Sequence, residues 1–119
     1  MIKIKNDTVN LNNVSSKIYM AISIVANIYE ENSYGDLVIT SCRDSVHSKN
    51  SLHYVGQAFD IRIWSVPKNE IVFLCKVIKK QLGKDFDVVY EKDHIHTEYD
   101  PKWTTHPRKN DGWVLRSVL

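Results

Sequence analysis

The chain predicts an α+β fold, a small antiparallel sheet covered by two helices, and three observations carry that prediction. Apolar residues recur at helical spacing in two separate windows. They alternate at period two, or run together over four to six residues, in several others. The helical and extended windows do not alternate regularly, as they would in a parallel α/β fold. At 119 residues, 43% of them hydrophobic, the chain fits one domain spanning 1–119 with one core, expected to be a monomer.

The first fourteen residues alternate weakly and turn polar at Asn10-Leu11-Asn12-Asn13, which reads as a short strand or arm and then a loop. Ser15 and Ser16 are suitable N-caps for a helix whose apolar stripe is Ile18, Ala21, Ile22, Val25, Ile28 and Tyr29. Asn32 to Asp36 breaks it, and Leu37 to Thr40 reads as a buried strand. A polar loop is then expected from Ser41 to Asn50. Phe59, Ile61 and Ile63 alternate with Asp60 and Arg62, placing the apolar side chains on one face of a strand and the charged ones on the other. A second helix follows, with Pro67 in its first turn, Ile71, Leu74, Cys75, Ile78 and Leu82 on one face, and Gly83 as its stop. Lys76, Lys79 and Lys80 read as its solvated face. Asp85 to Tyr90 and Ile95 to Tyr99 form an antiparallel hairpin with a tight link at Glu91-Lys92-Asp93. The segment from Asp100 onward receives no assignment beyond a short final element within Trp113 to Leu119.

Composition narrows the function classes. Sixteen basic and fourteen acidic residues leave a net charge of +2, and no basic stripe with interleaved aromatics is present, so nucleic acid is not an expected partner. The three tryptophans and six tyrosines read mostly as packing residues. Cys42 and Cys75 lie outside any CxxC motif and are expected as reduced thiols. No apolar run reaches membrane-spanning length, and Met1 to Asn6 lacks the apolar centre of a signal peptide. The expectation is a protein made in the cytoplasm without a signal peptide, with no membrane partner.

Two clusters carry chemistry. In Ser51-Leu52-His53-Tyr54-Val55-Gly56-Gln57-Ala58-Phe59-Asp60 a carboxylate is held on a strand, where Asp is a poor residue and needs a cation, an arginine or backbone donors as partner. His53 is the nearest co-ligand, and Gly56 lets the loop fold back over that strand. In Asp93-His94-Ile95-His96-Thr97-Glu98, strand parity puts His94, His96 and Glu98 on one face. Catalytic zinc sites commonly take three ligands from His, Asp and Glu, and His53, Asp60 and His96 supply such a set. The site is expected on the open face of the sheet.

The pattern SxHxxGxAxD followed by a late DHxH resembles the zinc D-alanyl-D-alanine carboxypeptidases and the related phage L-alanyl-D-glutamate endolysins, whose metal core hedgehog signalling domains share. The resemblance covers roughly Ile39 to Glu98. It implies Zn2+ on His53, Asp60 and His96, and Asp93, three residues before the last ligand, as catalytic base. The family's SGxR-like turn appears here as Thr40-Ser41-Cys42-Arg43, one residue shorter between serine and arginine.

The expected activity is hydrolysis of a peptide bond in peptidoglycan stem peptides or precursors, by a phage-type enzyme that acts on the wall after release. Asp93 would move the proton, His94 would donate to the developing oxyanion, and Arg43 would hold a substrate carboxylate or assist at the oxyanion. Strict strand parity places Asp93 on the face opposite His96, so either the link bends at Asp93 or Glu91 is the base. The alternatives are a zinc-containing, non-catalytic binding module, or a phage structural or accessory protein. His47 and His106 are expected to take no part in metal binding.

Overall fold

A computed structural model describes residues 1–11, 14–44, 57–101 and 113–116. The chain runs β1 (Ile2–Ile4), α1 (Ser16–Glu31), β2 (Leu37–Asp44), β3 (Gln57–Arg62), a 3-10 turn (Lys68–Glu70), α2 (Ile71–Leu82), β4 (Phe86–Glu91), β5 (His94–Tyr99) and β6 (Trp113–Arg116). The strands form one sheet in the order β1-β2-β3-β5-β4-β6. The α+β class with two helices is as expected, but the sheet is mixed. Its four central strands pair antiparallel, whereas β1 lies parallel to β2 and β6 parallel to β4. Hydrophobic alternation reports which face a residue takes and is blind to the direction of the neighbouring strand. The β1–α1–β2 connection, a helical crossover, makes the parallel edge possible.

Helix α1 starts where Ser15 accepts from the Ile18 N–H, and its buried residues are the six of the sequence stripe. Helix α2 buries Ile71, Leu74, Cys75 and Ile78 and ends at Gly83, whose φ of 92° is a conformation that side chains disfavour. Lys79 departs from its expected solvated place. It is buried, and its ammonium donates to the carbonyls of Gly83 and Phe86, fastening the end of α2 to the start of β4. A four-carbon stem can run along apolar surface and still deliver its charge to carbonyls left without intrahelical partners.

Both helices lie on one face of the sheet. Between them and the strands sit Leu37, Ile39, Phe59, Ile61, Phe86, Val88 and Ile95, all nearly inaccessible. Burial at about 25 cal/mol per Å² of apolar surface is the main stabilising term for such a layer. Cys42 and Cys75 are buried and not disulfide-bonded, and burial pushes the Cys75 thiol up to about 12. Among the described residues no helix is long and apolar enough to cross a membrane.

Strand β2 continues to Asp44, so Ser41 to Asp44 belong to the sheet rather than to the expected polar loop. A bulge makes this possible. Pairing shifts between Ile39, opposite Ile61, and Ser41, opposite Asp60, so that one extra residue is accommodated. Leu37, Ile39 and Cys42 all face the core in consequence, while Thr40 and Ser41 remain partly exposed beside Asp60.

The fully buried Tyr29 ties helix to sheet: its hydroxyl donates to the Arg62 carbonyl at 2.8 Å, at the end of β3. Tyr29→Phe removes that donor from a part-buried carbonyl, which is expected to cost about 0.5–1.5 kcal/mol in urea unfolding. An unchanged midpoint would show that the bond contributes nothing net.

Candidate functional site

The open face is built on the pairing of β3 with β5. Asp60 stands directly opposite His96, and Arg62 opposite His94. Residues two apart on a strand share a face, so Asp60 and Arg62 project from β3 beside His94, His96 and Glu98 from β5, while Phe59, Ile61, Ile95 and Thr97 turn to the helices.

Asp60 and His96 are close enough to share one ligand or one proton. His96 Nδ1 lies 2.7 Å from Asp60 Oδ1, and its other ring nitrogen, Nε2, lies 3.1 Å from Glu98 Oε1. Both side chains of the first pair are about 15% exposed, so the cluster is reachable from solvent yet poorly screened. Burial of the ring works against its charge, but the Asp60 and Glu98 carboxylates outweigh it and hold His96 up to about 9.

His94 is held from both sides. Its Nδ1 lies 2.9 Å from Asp93 Oδ1 and its Nε2 3.1 Å from Glu91 Oε1, with Asp60 Oδ2 3.8 Å away. Desolvation disfavours the charged ring, and these carboxylates more than compensate, raising its pKa. The same contact with His94 lowers the pKa of Asp93.

Asp93 reaches this face because the link bends. Glu91 and His94 pair across a two-residue turn, Lys92–Asp93, in which Lys92 takes a φ of 50°. Strand parity therefore stops at Glu91, and Asp93 swings to the cleft side. A cleft of about 350 Å³ opens there, lined by Lys5, Thr40, Ser41, Asp60, Arg62, Trp64, Asp93 and His94. Glu91 is not in its lining. Of the two acids weighed from the sequence, Asp93 is the one that fronts the cleft, and Glu91 is a support for His94.

His53 lies outside the described residues, as do His47 and His106. Arg43 has its backbone on β2, opposite Ala58, and its side chain lies outside the described part of the structure. Among the described residues no group of three or more His, Cys, Asp or Glu is arranged to hold a metal ion. Two adjacent donors are present, an imidazole nitrogen and a carboxylate oxygen. This donor pair suits zinc, and the His96 ring has the orientation that metal-ligating histidines show, one nitrogen toward the co-ligand and the other toward an outer carboxylate.

Four residues of this face, Glu98, Arg62, Trp64 and Lys5, have no functional role assigned from the sequence. Glu98 was placed on it without a role, and its contact with His96 supplies one. Arg62 was legible by parity with Asp60. Trp64 is 74% exposed, and the Arg62 guanidinium sits 3.8 Å from its ring centroid, so it departs from the packing role expected of most tryptophans. Lys5 had no local signal, since it reaches the cleft only because β1 pairs with β2.

Comparison with protein-family models, with curated proteins and with solved structures gives no match for this chain.

Proposed function

We propose that the chain is a zinc-dependent peptidase acting on peptidoglycan stem peptides or their precursors, as a D-Ala-D-Ala carboxypeptidase or an L-Ala-D-Glu endolysin of the phage type. The observation that most supports this reading is the register pairing of Asp60 with His96, donor atoms 2.7 Å apart, on the face of a solvent-open cleft that Asp93 also lines. His53, from the same SxHxxGxAxD motif as Asp60, would complete the ligand set. When bound, zinc lowers the pKa of a water to about 7 and polarises a carbonyl.

The remaining work falls to side chains of the cleft. Asp93 accepts the proton of the attacking water and delivers it to the leaving amine, a task that needs a carboxylate at the cleft wall and in contact with solvent. His94, held between Asp93 and Glu91, places its positive charge in the cleft near the oxygen on which negative charge develops. Glu98 keeps the His96 ring from rotating.

The test is digestion of isolated peptidoglycan by the full chain supplied with Zn2+. New free amines are expected, a chelator should abolish them, and mass spectrometry should identify the bond: loss of terminal D-Ala for a carboxypeptidase, a cut between L-Ala and D-Glu for an endolysin. Unaltered peptidoglycan and unaltered stem peptides with a fully loaded metal site would overturn the peptidase reading in favour of a non-catalytic binding module.

A further inference from the structure

The cleft carries groups of both signs, Asp60, Asp93 and His94 together with Lys5 and Arg62, and Trp64, Thr40 and Ser41 complete its lining. Among the described residues, neither Lys5 nor Arg62 makes an ion pair with a carboxylate, although Asp60 and Asp93 line the same cleft. Arg62 is instead stacked on the exposed ring of Trp64. Stacking of this kind fixes a guanidinium plane and leaves its in-plane N–H groups free to bind a planar anion. The strand beneath it is fixed as well, by the bond from Tyr29 to the Arg62 carbonyl.

We propose that Lys5 and Arg62 form the subsite that takes a free carboxylate of the substrate peptide, with Trp64 as the platform that orients Arg62. This rests on the peptidase reading of the same cleft, and it gives the carboxylate-holding role to Arg62 rather than to Arg43. Charge and size favour a carboxylate over a phosphate. Asp60 and Asp93 in the same cleft repel a doubly charged group more than a singly charged one, and a single carboxylate is matched by the planar fork of Arg62. A volume of about 350 Å³ is at the lower end of ligand pockets and suits a short peptide. A bound peptide with its carboxylate on Arg62 would run toward His94, the register partner of Arg62, and so toward the reacting groups.

The test is titration calorimetry on the zinc-supplied full chain, in an Asp93→Asn background that slows turnover. The probes are the tetrapeptide L-Ala-γ-D-Glu-L-Lys-D-Ala with both carboxyls free, and the same peptide with both amidated. The free acid is expected to bind more tightly. Arg62→Ala should weaken its binding about 10- to 100-fold, the range for a charge-assisted contact, while affecting the amide little. Arg62→Lys should recover only part of the loss, because a point charge lacks the planar fork. Lys5→Ala, at a more exposed position, should cost less, and metal content and thermal unfolding of each variant check that it folds. An acid-to-amide preference unchanged in the folded Lys5→Ala, Arg62→Ala double variant would overturn the subsite, as would failure of the parent chain to bind either peptide. If the preference depends on Arg62 while the wild-type chain cuts no peptide bond, the subsite stands and the peptidase reading falls.

Discussion

Zinc-loaded chain is expected to keep about one metal ion per molecule through desalting, and His53→Ala, Asp60→Ala or His96→Ala to keep almost none. Asp60 and His96 face each other across the β3–β5 pairing with donor atoms 2.7 Å apart, so removal of either takes away half of the donor pair. Removing one of three ligands should exceed the roughly 10–100-fold loss of affinity that changes to outer-sphere partners cause. Glu98→Gln provides that smaller comparison, since Glu98 contacts the His96 nitrogen that faces away from Asp60. His47→Ala and His106→Ala should retain full metal. Elemental analysis of the purified variants decides the matter, and stoichiometric zinc in a His53→Ala, His96→Ala double variant would refute the ligand set.

Asp93→Asn is expected to bind zinc normally and to lower the rate of stem-peptide cleavage by about 10²- to 10⁴-fold, the contribution of a positioned acid–base group. Its carboxylate fronts the cleft, and the amide that replaces it keeps the shape but cannot take a proton. Glu91→Gln should cost much less, because Glu91 contacts His94 Nε2 and is not in the cleft lining, so its loss loosens a donor without removing the base. Single-turnover rates at saturating substrate separate the two variants. A larger loss for Glu91→Gln than for Asp93→Asn would transfer the base role to Glu91.

The elements of this fold were legible in the sequence because each rests on local periodicity. The six buried residues of α1 are the six spaced at helical intervals, and Gly83 ends α2 where the chain needs a positive φ. The joint placement of His94, His96 and Glu98 also followed from parity alone, since a strand turns every second side chain the same way. Which strand lies beside which is not a local property. The pairing that sets Asp60 against His96 joins residues thirty-six apart, and the parallel edge that brings Lys5 to the cleft depends on where α1 returns the chain. Two departures from strict alternation were equally hidden. The bulge in β2 keeps Cys42 in the core, and the two-residue turn carries Asp93 to the face that parity denied it. Both come from backbone geometry that closes only when neighbouring strands are in place, so the residue types of the site were written in the sequence and their meeting was decided by the sheet.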